Sequence, residues 1–496
     1  MSMTLHLQPC PKVPTTFNGS DTQLLYRKQM MKFQFTSLGA IDQATIDLAP
    51  LTIICGKNNT GKTYATYAMY AFLSMWRQLI DWEVDRTDLD ELFNNGAVSI
   101  DLQTKFVEQW QEIKKRTCAR WLESLPRALG APASRFDDTR ISFDFDIDKT
   151  WKLATFKKDL RTEQGKILFS AEKIANSSVL EFAALIDNDR REFPKFALEE
   201  FVSQTLLEAV LNPYLPTVFM VSTERTGAVT FKEELNLTKN KIVNYLATMD
   251  ASREMQHPSK LFEAIYSDGY PLPVESNVRF VNRFGSMESR SGVLLKEHPS
   301  LATDFENIAG GQYLTNKEGV THFVPKGSKV QLRLTEASSA ARSLVVIWYW
   351  LKSEAAKGHM LLIDEPELNL HPENQRAFAR FLAKLVNLDI KVLITTHSDT
   401  ILREFNTLIM LSRATEHAQS VRTEFGYGVD ECLSTEKVVL YIANGRTLTA
   451  TGRQRPGTST LVRVTPSQTL GLAVEIFDST ILDMGKVQDA LRYGAI

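Results

Sequence analysis

An α/β fold built around a phosphate-binding loop is the architecture this sequence predicts, and three stretches predict it. The first is Gly56-Lys57-Asn58-Asn59-Thr60-Gly61-Lys62-Thr63, which fits G-x-x-x-x-G-K-[ST] and stands between an apolar segment and a helical one. The second is Met360-Leu361-Leu362-Ile363, an apolar run that ends in Asp364-Glu365. The third is Lys391-Val392-Leu393-Ile394-Thr395-Thr396, which ends at His397. Apolar runs of this kind suit central parallel strands covered on both faces.

Taken in order, residues 1–30 are polar and turn-rich, with Pro9, Pro11, Pro14 and Asn18-Gly19. They read as a flexible extension, or as sequence ahead of a start at Met30-Met31. Lys32–Phe35 and Ala44–Leu48 read as strands on either side of a turn near Gly39. Ala49–Cys55 reads as a buried strand and Tyr64–Trp82, rich in Ala, Met, Leu and aromatics, as a mostly buried helix. Between them, Gly56 and Gly61 let the backbone wrap a phosphate, while successive N–H groups and the helix N-terminus supply positive potential. Lys62 is suited to the β/γ-phosphates, and the Thr63 hydroxyl to a place on Mg²⁺.

Asp101–Leu122 carries Phe106, Trp110 and Ile113 at helical spacing, and its Lys114-Lys115-Arg116 cluster reads as a solvated face. Ile141–Ile147 alternates as a half-exposed strand, with a partner expected near Trp151–Phe156. Glu199–Leu211 reads as a helix stopping before Pro213. Thr217–Val221 is a compact strand running into Ser222-Thr223-Glu224-Arg225-Thr226-Gly227, whose charges lie near a nucleotide or form a structural ion pair. Helical patterns follow at Asn240–Met249 and Asn277–Lys296. Gly310-Gly311, Val320–Val324 and Val330–Leu334 form the pattern of a small antiparallel sheet.

Leu334–Leu344 is rich in small residues and opens a helix that continues through Lys357. Such a start is either an anion site for a phosphate presented by a second subunit or a tightly packed helix end. Asp364, at the carboxyl end of its strand, is where open α/β sheets bind ligands and is placed to hold Mg²⁺ through water. Glu365 beside it is placed to take a proton from an attacking water. His397, ending another buried strand, is placed to hydrogen-bond a γ-phosphate or to orient that water.

Composition narrows the partners. A net charge of −2 over 496 residues provides no global field for nucleic acid or membrane. Four scattered cysteines without a C-x-x-C pattern argue against a zinc site or a disulfide framework and fit a reducing cytoplasm. No apolar run approaches the ~20 residues of a membrane span, and the start lacks the apolar core of a signal peptide. The tail has strand patterns at Lys437–Tyr441 and Leu461–Val464 and an apolar helix stripe within Glu475–Tyr493, without grouped catalytic carboxylates.

Leu38-Gly39-Ala40-Ile41 leading to the glycine loop, Asp364-Glu365-Pro366-Glu367 followed by Leu370-His371-Pro372, and Thr395-Thr396-His397-Ser398 form a recognisable series. Over most of Met31–Met410 the chain resembles the ABC-type ATPase heads of the SMC, RecF and OLD group. Within it, the chain is similar to AAA-type ATPases of bacterial anti-phage defence operons, such as those of the PARIS and Septu systems. The resemblance implies an α/β P-loop ATPase of ABC type using ATP and Mg²⁺. Its lobes would be 31–82 and 216–411, with a large helical and β insertion at 83–215 and a small α+β assembly or docking domain at 412–496. The resemblance carries Walker A to Lys62 and Thr63, the signature to Ser339, Walker B to Asp364 with Glu365, the D-loop to Leu368–Pro372, and the switch histidine to His397. Ser222–Gly227 resembles the P-A-E-R-[ST]-G segment of the same group.

Two positions depart from that pattern: Ala340 stands at a signature glycine and Arg342 at a signature glutamine. Neither Gln78 nor Gln111 has the context of a Q-loop glutamine. The TOPRIM nuclease of OLD proteins has no counterpart, because too few residues follow Ser412, so no nuclease activity is expected in this chain. The implied function is a slow ATPase that oligomerises head to head and controls a separate effector, a nuclease encoded alongside, in response to a phage-derived trigger. The alternatives are a RecF-like or SMC-like repair ATPase acting directly on DNA, and a module that holds ATP structurally.

Overall fold

The computed structural model describes residues 30–80, 82–162, 165–185, 195–232, 234–235, 270–287, 292–316, 318–444, 459–467, 471–472 and 486–489. The expectations for 1–29, for a helix at Asn240–Met249 and for most of the terminal helix Glu475–Tyr493 fall outside them. The chain divides into two units. One gathers Phe72–Ser124 and Ile141–Pro216, and the other Phe33–Ala71, Leu125–Arg140 and Thr217–Ile496.

The second unit is organised by a mixed sheet. Its strands include β1 (Lys32–Leu38), β2 (Ile41–Asp47), β3 (Leu51–Gly56), β4 (Val218–Val221), β5 (Met360–Asp364), β6 (Lys391–Thr396), β7 (Val438–Asn444) and β8 (Ser459–Val464). They lie side by side in the order β1-β2-β8-β7-β3-β6-β5-β4. From β7 to β4 every neighbouring pair is parallel, and the antiparallel β7–β8 pair extends the sheet toward β2. β3 and β5 are buried along their whole length, as apolar residues on both faces of a covered parallel sheet require. The helices that begin in this unit include α1 (Lys62–Leu79), α2 (Leu272–Asn282), α3 (Ser339–Ser353), α4 (Pro372–Asn387) and α5 (Asp399–Met410). α3 buries Leu344 through Leu351 without interruption, and α4 buries Phe378, Phe381, Leu382 and Leu385 at helical spacing. A three-stranded antiparallel sheet of Gly311–Thr315, Thr321–Pro325 and Leu332–Arg333 stands where the glycine pair predicts it.

In the first unit, Ala97–Asp101, Val179–Ala184, Ile167–Lys173 and Phe156–Arg161 form an antiparallel sheet in that order. The helices Trp110–Leu129 and Lys195–Leu211 belong to the same stretch of chain. Phe72, Trp110, Trp121, Phe143 and Phe145 pack into one aromatic cluster. The buried Glu208 takes hydrogen bonds from Arg77 Nε at 2.9 Å and Lys158 Nζ at 2.8 Å.

Several expectations are corrected. Phe156–Arg161 pairs with Ile167–Lys173 rather than with the strand before it, and Thr150–Leu153 is a helical turn. Asp101 caps a turn instead of opening a long helix: its carboxylate accepts from Gln103 N at 2.9 Å, and the long helix starts at Trp110. Asn277–Lys296 is not one helix, since α2 ends at Asn282 and short helices follow at Phe284–Met287 and Val293–Glu297. Among the described residues, the two strands of 412–496 pair with each other and join the central sheet rather than a separate one. β7 lies directly against β3, so this part of the tail belongs to the central sheet.

Candidate functional site

The strand register collects the predicted residues at one edge. Cys55 of β3 faces Thr396 of β6, and Thr395 faces Asp364 of β5. The chain therefore leaves three adjacent parallel strands at one level, into the glycine loop, His397 and Glu365. That carboxyl edge is where open α/β sheets place ligands.

Gly56–Gly61 forms the loop ahead of α1. Lys57, Asn58 and Asn59 are exposed, whereas Lys62 is buried. Gly61 has φ +85°, and a Cβ there would stand 2.6 Å from Ile41 Cγ1, so the position requires glycine. α1 carries no acidic residue in its first turn, which leaves its N-terminal potential positive. Lys62 Nζ donates to Gly56 O at 2.8 Å and to Lys57 O at 2.7 Å, curling the loop around its own ammonium. Burial pulls the Lys62 ammonium below its ordinary pKa, and Glu365 and Asp364 oppose that shift.

Thr63 Oγ1 donates to Asp364 Oδ2 at 3.1 Å, joining the first and second predicted motifs. Thr395 Oγ1 donates to the other carboxylate oxygen. Asp364 is 1% exposed, and burial raises its pKa to about 6, against the lowering effect of the Thr395 and Thr63 hydroxyls. Glu365 follows at φ +52°, with its N–H on Thr395 O at 3.1 Å. His397 Nδ1 lies 3.5 Å from Glu365 Oε1 and 3.2 Å from Glu367 Oε1. Glu367 Oε1 also accepts from Thr396 Oγ1 and His397 N, each at 2.8 Å. A hydroxyl and a carboxylate are the hard oxygen donors that Mg²⁺ takes, and a buried carboxylate raised toward neutral is one that a divalent cation would satisfy.

Ser339 lies elsewhere in this arrangement. It stands exposed in the first turn of α3, whose cap is Ser338, and the hydrogen bonds among the described residues do not join it to the loop cluster. In the Leu368–Pro372 segment, Asn369 is exposed at φ +64°, and His371 caps α4. A family model described as AAA ATPase domain matches residues 36–402, a span that includes the glycine loop, Asp364-Glu365 and His397. The chain belongs to the AAA ATPase family.

No curated protein matches this ATPase. Solved structures similar to it include an SMC head bound to the C-terminal winged-helix domain of ScpA, at 11% identity and a TM-score of 0.34, covering 88% of this chain and 98% of the other. An SMC head with an extended coiled coil, bound to the C-terminal domain of ScpA and derived from Pyrococcus furiosus, has 12% identity and a TM-score of 0.32, covering 93% and 99%. The SMC head domain from Thermotoga maritima has 9% identity and a TM-score of 0.29, covering 88% and 99%. Among the described residues of the ATPase, no helix is long and apolar enough to cross a membrane.

Several participants carry no sequence signal of their own. Thr395 and Glu367 stand in the sequence only as neighbours of His397 and Asp364, and their contacts follow from the strand register. Ser459, from the tail, donates its N–H to Ala40 O at 2.8 Å and its hydroxyl to Thr60 O, buttressing the ATPase loop from behind. Nothing local to Ser459 signals that role.

Proposed function

We propose that this ATPase hydrolyses ATP with Mg²⁺ at the carboxyl edge of the central sheet, and that turnover governs a separate effector. The observation that carries the chemistry is the meeting of Thr63 and Asp364 beside Glu365, from segments far apart in the chain. The Gly56–Thr63 backbone cradles the phosphates, and Lys62 supplies charge to the β/γ-phosphates. Thr63 and Asp364 would hold Mg²⁺, which when bound supplies positive charge against the developing negative charge on phosphate. Glu365 accepts the proton of the attacking water. His397, between Glu365 and Glu367, hydrogen-bonds the γ-phosphate or orients that water.

Ser339, exposed on α3, is read as the residue offered to the nucleotide of a second copy in a head-to-head homo-oligomer. The resemblance of the motif series to anti-phage ATPases supports a sensor or scaffold that answers a phage-derived trigger and controls a nuclease encoded alongside. Lys62→Ala tests the site itself. It removes the principal charge on the β/γ-phosphates, so calorimetry should find ATP binding abolished in a folded protein. Affinity near that of the parent would place the nucleotide elsewhere.

A further inference from the structure

Arg225 is 1% exposed and has no place among the nucleotide contacts assigned above. Its Nη1 donates to Ser222 O at 3.0 Å and Asp364 O at 2.9 Å, and its Nη2 to Glu365 O at 2.7 Å. All three acceptors are backbone carbonyls at or just past the ends of β4 and β5, which are parallel neighbours. Glu365 is a non-glycine residue in the left-handed region, a conformation that persists only where its surroundings enforce it. A guanidinium suits that task, since its rigid fork reaches two carbonyls at once, which a lysine ammonium on a flexible stem does not reproduce. Asp364, Glu365, Glu367 and Glu224 lie close enough to favour its charge despite the burial. Ser222 is held independently, because its N–H donates to Asn277 Oδ1 at 2.9 Å, so the fork reaches from an anchored turn to a strained one.

We infer that Arg225 is a positioning residue for hydrolysis: its fork fixes the Asp364 and Glu365 carbonyls and thereby aims the Glu365 carboxylate at the attacking water, without touching the nucleotide. The inference rests on the reading of Glu365 as the proton acceptor. Arg225→Lys keeps a charge and loses the fork. Its Kd and KM for ATP should stay within about twofold of the parent while kcat falls roughly 10- to 100-fold. In a Glu365→Gln background the same substitution should cost nothing further in single-turnover hydrolysis, because a residue acting through Glu365 has nothing left to aim.

Arg225→Gln, a planar amide without charge, is the second variant and should show the same split between kcat and KM. If Glu365→Gln alone turns over normally, the base assignment fails and the inference with it. If Glu365→Gln is slow but Arg225→Lys keeps parental kcat and KM, the base stands and the inference alone falls. An equal loss in both backgrounds, or loss of ATP binding in both Arg225 variants, would make Arg225 a fold residue and likewise overturn it.

Discussion

Burial holds the Asp364 carboxylate at about 6, above the ordinary 3.8, and the direction of that shift fixes a pH dependence. The folded state binds this proton more tightly than the unfolded chain. The group therefore costs no stability below about 4, and the penalty grows as pH rises to about 6, reaching on the order of 3 kcal/mol above it. In metal-free protein, Asp364→Asn should raise the melting temperature at pH 7 but leave it nearly unchanged at pH 4. Thermal unfolding in the presence of EDTA measures this, and equal effects at both pH values would show that the carboxylate is not penalised by burial. Mg²⁺ held by Asp364 as proposed would compete with the same proton, so its stabilising effect should fade as pH drops below about 6 and be absent in Asp364→Asn.

At the scale of elements, β7 is the piece on which the loop strand depends. Val438, Val439, Leu440, Tyr441, Ile442 and Ala443 are each 8% exposed or less, and Ala443 pairs with Gly56 at the mouth of the loop. Burying large side chains of this kind contributes roughly 1.5–3 kcal/mol each. Together they rival the whole net stability of a domain, about 5–15 kcal/mol. A chain ending at Ser412 should therefore lose the nucleotide unit, seen as aggregation or as loss of ATP binding with a collapsed thermal transition. A well-folded, ATP-binding truncation would contradict this.

The same strand shows where legibility in the sequence stops. β3, β5 and β6 declare themselves because covered parallel strands are apolar on both faces, and the glycine loop names its own chemistry. Val438–Asn444 is legible as a strand, but its neighbour is Leu51–Gly56, and nothing local encodes so distant a partner. The expectation that the strands of 412–496 form a sheet apart is corrected for that reason. Ala97–Asp101 escapes because it is a short edge strand after Gly96, and its last residue doubles as a helix cap. At the site, Lys62, Thr63, Asp364, Glu365 and His397 are legible from motif and strand position. The Arg225 fork and the Ser459 buttress are not, since each acts on backbone carbonyls of segments distant in the chain.

For the molecule as a whole, the proposed cycle makes assembly depend on nucleotide. Glu365→Gln with ATP and Mg²⁺ should shift toward a dimer in light scattering, and Ser339→Arg, which adds bulk at the exposed start of α3, should prevent that shift without changing ATP affinity. A parental monomer–dimer balance in both would remove the head-to-head arrangement. Expressed with its genomic neighbour, the ATPase should co-purify with it, and alone it should leave DNA and RNA intact. Metal-dependent cleavage of nucleic acid by this chain alone would instead make it the effector.

The central claim, that Glu365 drives hydrolysis of a nucleotide held by Lys62, Thr63 and Asp364, is tested most directly by measuring ATP affinity and steady-state turnover of Glu365→Gln in the same preparation. The account predicts parental affinity with turnover reduced by roughly 100-fold or more. Parental turnover in that variant would contradict it and move the search for the proton acceptor to His397.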